Sequence, residues 1–212
     1  MPLLFPSSHP LVLHKLRALR DVTTEPAEFR RLVRSLAMLI AYEAAADLPT
    51  TEHPVTTPMG STTARVLADE IAVVPILRAG LGMAEGVLDL IPEAQVWHIG
   101  LFRDEKTLRP TPYYNKLPAD CSATIALVVD PMLATGGSAI HACEILRSAG
   151  IQRVKLLALI AAPEGIAAFS GAMPDVPIHV GAVDERLNEV GFIVPGLGDA
   201  GDRQFATTPR LE

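Results

Sequence analysis

Hydrophobic positions along the chain follow two rhythms. In the first fifty residues they recur at helical spacing. Leu11, Leu13, Leu16 and Leu19 fall on or near one face of a short helix. Phe29, Leu32, Val33, Leu36, Leu39 and Ile40 then repeat at three- and four-residue steps behind Pro26, a residue tolerated in a first helical turn. Pro49 closes this second helix. A Thr/Pro-rich stretch over 50–63 reads as edge strands or an arm.

From there the pattern becomes strand, loop, helix. Apolar runs at 71–77, 96–102, 125–129, 154–161 and 178–183 have strand length and little alternation, the habit of parallel strands buried on both faces. Helical segments at 82–90, 137–149 and 164–169 separate them. Alternating βα units predict an α/β fold: an open, mostly parallel sheet flanked by helices, with a helical N-terminal extension over 1–50. No internal repeat or low-complexity tract is visible, so 1–212 reads as a single domain.

Composition narrows the classes. With 212 residues, 49% of them hydrophobic, the chain can bury a core that needs neither disulfides nor a metal. Cys121 and Cys143 form no C-x-x-C pair, which argues against a zinc cage or a disulfide scaffold and for a reducing, cytoplasmic compartment. Basic residues number 18 against 24 acidic ones. The densest cationic group, Arg30, Arg31 and Arg34, shares its helix with Glu25, Glu28 and Glu43, so nucleic acid is not an expected partner. The opening Met1-Pro2-Leu3-Leu4-Phe5-Pro6 is too short and proline-broken for a signal peptide, and no apolar run reaches the roughly 20 residues of a membrane span. The six histidines have no metal-ligand spacing, and no Ser-His-Asp set is apparent.

Four segments carry candidate chemistry. In 125–138 a buried strand ends at Asp130, and the loop Pro131-Met132-Leu133-Ala134-Thr135-Gly136-Gly137-Ser138 opens a helix. A helix N-terminus offers unpaired N–H groups and a positive dipole end, and glycines let backbone close around phosphate oxygens. Taken alone, Thr135-Gly136-Gly137-Ser138 reads first as a tight βα turn with an N-cap, and the preceding strand and Asp130 bring the phosphate reading level with it. In 73–82 a second buried strand ends at Arg78, whose fork suits a pyrophosphate or carboxylate, although taken alone it reads first as a surface pair with an acid such as Glu85. The charged stretch 101–114 reads as a hairpin flap over 103–117, or as a solvated or subunit-packing arm. Finally Gly191-Phe192-Ile193-Val194-Pro195-Gly196-Leu197-Gly198-Asp199-Ala200-Gly201-Asp202 is glycine-rich, fit for recognition through its backbone or for a flexible tail.

With these segments in this order, the chain resembles the uracil phosphoribosyltransferases, a branch of the type I phosphoribosyltransferase family. The matches are Pro75 to Gly82, Asp130 to Ser138, Ala161-Ala162-Pro163-Glu164-Gly165 and Pro195 to Asp202. The resemblance implies conversion of uracil and 5-phosphoribosyl-1-diphosphate (PRPP) to UMP and diphosphate. It implies a PRPP loop over Asp130 to Ser138, with Thr135 to Ser138 at the 5′-phosphate and Asp130 at the ribose hydroxyls. Arg78 and Arg103 would meet the diphosphate, and Asp199 would approach PRPP or its Mg²⁺. Ile193, Gly198, Asp199 and Ala200 would read uracil from within a recognition loop at 184–205. Mg²⁺ would be held mainly through PRPP. A non-proline cis peptide is expected near Arg78-Ala79.

The same resemblance brings in GTP as an effector of some members, and the apolar composition and arm point to a homodimer or higher homo-oligomer. Two departures stand out: Pro131 where most type I relatives carry a second acid, and Arg109 in the flap where an acid is frequent. Other readings keep the fold with another base, or make the chain a pyrimidine regulator or a nucleotide-binding module without turnover.

Overall fold

Both faces of the central strands are covered, which is why their apolar runs show no alternation. The computed structural model describes residues 2–103, 110–118 and 121–207. In chain order its elements are β1 (Leu4–Pro6), α1 (Pro10–Arg20), α2 (Pro26–Ala44), β2 (Thr50–Thr57), β3 (Gly60–Leu67), β4 (Ile71–Leu77), α3 (Leu81–Leu90), β5 (Gln95–Val96), β6 (His98–Arg103), β7 (Pro110–Lys116), β8 (Ile125–Val129), β9 (Met132–Leu133), α4 (Gly137–Ser148), β10 (Arg153–Ala161), α5 (Pro163–Ala172), β11 (Ile178–Val183), β12 (Arg186–Leu187), β13 (Ile193–Val194) and α6 (Ala200–Phe205).

Among the described residues the main sheet has nine strands in the order β1-β11-β10-β8-β4-β6-β7, with β5 beside β4 and β9 beside β10. Pairing is parallel throughout except at β7, which returns antiparallel on β6. Side chains of one strand alternate between two cores. Val73, Leu127 and Leu157 join Phe29, Leu36 and Ile40 of α2, while Val74, Val128 and Leu156 join Leu146 of α4 and Phe169 of α5. Each such fully buried side chain contributes about 1.5–3 kcal/mol over leaving it in water.

Several boundaries differ from the sequence expectation. In α1 the buried stripe is Val12, Leu16 and Leu19, whereas Leu11 and Leu13 are half exposed. Helix α2 stops at Ala44 instead of running to Pro49, because Lys155 of β10 donates from Nζ to the Ala44 carbonyl at 2.6 Å and pairs with Asp47. The Thr/Pro-rich stretch is an antiparallel hairpin, β2 with β3, that reaches Leu67 and is exposed along its whole length. The run at 96–102 is broken at the buried Trp97, whose N–H donates to the Val73 carbonyl. The N-terminal extension also adds β1 to the edge of the sheet beside β11. No described helix is long and apolar enough to cross a membrane.

Candidate active site

The order of the sheet reverses at β4. From β4 the chain moves to β6 on one side, then returns to lay down β8 on the other. Open α/β sheets bind ligands at the carboxyl ends of strands flanking such a switch. Here those ends carry Arg78 after β4 and Asp130 after β8, on strands paired Pro75 to Val129.

The loop after β8 is built in two halves. In the first, the buried Pro131 accepts at its carbonyl from the Leu159 and Ile160 N–H groups, and β9 pairs with β10. Asp130 Oδ1 accepts from the Met132 N–H at 3.3 Å. The second half turns into α4 through Gly136, at φ 84°, where a Cβ would lie 3.1 Å from the Gly165 carbonyl. Gly136 has no side chain to cap α4 and no acid occupies its first turn, which keeps the positive helix end available to an anion.

Opposite stands the segment that follows β11. Its short β12–β13 pair is extended by Asn188, whose Oδ1 accepts from the Val190 and Phe192 N–H groups. Glu164 of α5 accepts from the Leu187 N–H, a bond that holds its carboxyl below the usual range. Buried Asp184 accepts from the Gly196 N–H at 2.8 Å and pairs with Arg20, the last residue of α1. Asp199 caps α6 by accepting from the Asp202 N–H at 2.7 Å.

Between the two walls lies a cleft of about 310 Å³. Of the residues the sequence singles out, it is lined by Asp130, Met132 to Gly136, Ser138, Ile193 and Asp199. Pro131, Gly137, Gly198 and Ala200 adjoin it without forming its wall, Pro131 because its backbone is stitched to the sheet. Gly191 and Phe192, from the glycine-rich segment within the expected 184–205 loop but not among its expected uracil readers, also line the cleft, and Ala139 of α4 completes the lining with no signal in the sequence.

Arg78 does not line the cleft. It follows a cis Leu77–Arg78 peptide, one bond before the expected place, and a second cis bond joins Val194 to Pro195. Its guanidinium lies 3.4 Å from Asp202 and 5.9 Å from the Phe205 ring centre, while Glu85, the alternative partner, faces Arg34. The Ala79 carbonyl accepts from buried Gln204 at 2.9 Å, which joins the loop after β4 to α6. The backbone of Arg103 ends β6; its side chain and Arg109, with flap residues 104–109, lie outside the described residues.

A parallel sheet with a strand-end acid, a glycine loop at a helix start and an antiparallel hairpin at one edge is the type I phosphoribosyltransferase fold. A hypoxanthine-guanine phosphoribosyltransferase from Bacillus anthracis shares that fold at a TM-score of 0.51 and 13% identity, over 75% of this chain and 80% of its own. A solved protein from Aquifex aeolicus superposes far more closely, with a TM-score of 0.91 and 41% identity over 96% of this chain and 98% of that one. The uracil phosphoribosyltransferase of Roseiflexus castenholzii is 56% identical over 207 residues, 98% of this chain and all of that protein. The uracil phosphoribosyltransferase family model matches residues 6–207, and the chain belongs to that family.

Proposed function

We propose that the chain transfers the phosphoribosyl group of PRPP to uracil, releasing UMP and diphosphate, in pyrimidine salvage. The observation that carries this reading is a single cleft with a phosphate cradle on one wall and a glycine-rich backbone segment on the other. Thr135 to Ser138 hold the 5′-phosphate through N–H and hydroxyl groups at the start of α4. Asp130 accepts from the ribose hydroxyls. As the bond to diphosphate breaks, positive charge grows on the sugar and negative charge on the leaving group. Arg78 and Arg103 stabilise the latter, the electrostatic contribution expected to dominate the rate. The contact of Arg78 with Asp202 is long and exposed, so exchanging it for diphosphate costs little.

Uracil presents acceptor, donor, acceptor along one edge. A backbone offering N–H, C=O and N–H from Ile193 and Gly198 to Ala200 would read that order, and the amino group of cytosine would leave two donors facing each other. The carboxylates of Asp130 and Asp199, hard oxygen donors on one cleft, fit Mg²⁺ shared with substrate oxygens. When bound, Mg²⁺ supplies further charge neutralisation on the diphosphate. The exposed β2–β3 arm, with Met59 at its tip 95% exposed, supports assembly with further copies of the chain.

The test is product formation from PRPP and Mg²⁺ with uracil, cytosine, hypoxanthine and orotate in parallel. UMP from uracil alone is the expected result. Turnover of another base would overturn the uracil assignment, and PRPP binding without turnover of any base would favour a regulator or binding module.

A further inference from the structure

The segment that would read the base has almost no regular structure of its own. Between Asp184 and Asp199 its described ladder is the two-residue pair β12–β13, so other groups must satisfy and fix its backbone. At Gly196 both peptide groups are taken by one ion pair, a part-buried arginine on a buried aspartate. The N–H donates to Asp184 Oδ2 at 2.8 Å, and the carbonyl accepts from Arg20 Nη1 at 2.8 Å. The same Nη1 donates to Asp184 Oδ2 at 2.7 Å, and Nη2 pairs with Oδ1. The Asp184 side chain is only 3% exposed, and its N–H is fastened to the sheet through the Ala161 carbonyl.

The next residue is held in the same manner. Arg203 donates to the Leu197 carbonyl at 2.8 Å, to the Leu19 carbonyl at 2.9 Å and to the Asp21 carbonyl at 2.6 Å, and stacks over Phe29 at 4.4 Å. The end of α1 therefore meets two consecutive residues that immediately precede Gly198 to Ala200. Neither Arg20 nor Asp184 lines the cleft.

We infer that Arg20, acting through Asp184 on the Gly196 peptide, is a positioning residue for base recognition. This rests on the reading that the 193–200 backbone binds uracil. An ion pair with its aspartate buried contributes little net stability against an apolar pair of similar volume, but losing one partner leaves the other charge unmatched. Its effect is to hold an otherwise unladdered loop in one conformation. Phosphate binding, on the opposite wall, does not depend on it.

The test combines steady-state kinetics with amide hydrogen exchange on Arg20→Met, Arg20→Lys and Asp184→Asn. Arg20→Met is expected to raise the KM for uracil on the order of tenfold, the loss of one charge-assisted hydrogen bond, while the KM for PRPP moves less than about twofold. Exchange at the Gly196 amide should quicken in the same variant, and Arg20→Lys should recover part of both effects. Asp184→Asn, which keeps an acceptor for Gly196, carries the test if Arg20→Met does not fold. Equal rises in both KM values would overturn the inference, as would a fall in kcat alone. Unchanged exchange with unchanged uracil KM would overturn it and leave the base-reading loop standing. Faster exchange at Gly196 with unchanged uracil KM would overturn it by removing the reading on which it rests.

Discussion

At Gly136 the missing side chain shapes the loop proposed to cradle the 5′-phosphate. Its φ of 84° lies in the left-handed region, and an added Cβ would sit 3.1 Å from the Gly165 carbonyl, so strain and crowding act together. Gly136→Ala should lower stability by about 1–3 kcal/mol and raise the KM for PRPP, checked by denaturant titration and initial rates. Arg78 poses the opposite case, a side chain that the fold hardly uses. Its one described ion pair is exposed, so Arg78→Ala should leave the unfolding midpoint nearly unchanged while kcat falls by roughly 10²–10³. A rise in the KM for PRPP with kcat unchanged would instead mark a mere binding residue. Among the thiols, burial pushes Cys143 up to about 12, whereas Cys121 is half-buried. Iodoacetamide at mildly alkaline pH should therefore label Cys121 alone until the chain is denatured.

Elements were legible where burial is uniform. The runs at 71–77 and 125–129 are strands with those same limits, because a strand covered on both faces needs apolar residues at every position, and 178–183 keeps its limits too although His179 is half-buried and Val183 exposed. Legibility fell where one pattern fits two geometries. The leucines at 11, 13, 16 and 19 mark α1, but the stripe that packs is Val12, Leu16 and Leu19, at four- and three-residue steps. The end of α2 was not readable either, since it is set by Lys155, more than a hundred positions away.

That junction also yields a pH dependence. His179 of β11 is half-buried and faces Lys155, and burial with that neighbouring charge lowers it from 6.5 to about 4 despite Asp47. The unfolded chain takes up this proton as pH falls through 6.5, and the folded chain only near 4. The stability tied to the neutral ring is thus complete above pH 6.5 and is lost as pH falls through that window. Denaturation midpoints between pH 7 and 4 should fall less steeply for His179→Gln than for the parent.

At the scale of the whole molecule, the cleft gathers parts of the chain that lie far apart in sequence. The loop proposed to hold phosphate was legible as a strand-loop-helix unit because strand, acid, glycines and helix follow one another within 125–138. The opposite wall was readable as glycine-rich backbone. What fixes it was hidden, because Arg20 and Asp184 stand 164 positions apart and show no local pattern. Gln204, fully buried and bonded to the Ala79 carbonyl, is hidden for the same reason.

A site assembled this way forms only in the folded state, so its ligand should stabilise the entire chain by mass action. At a hundredfold excess over Kd that amounts to about 2.7 kcal/mol, which for a chain of this size raises Tm by roughly 5–11 °C. PRPP with Mg²⁺ should produce such a rise in a thermal scan, and Asp130→Asn should reduce it. Arg20→Met should retain it, because the phosphate loop on the other wall does not lean on the clamp. A PRPP-induced rise that vanished in Arg20→Met would mean that the two walls close on PRPP as one unit, and that the clamp governs phosphate binding as much as the base.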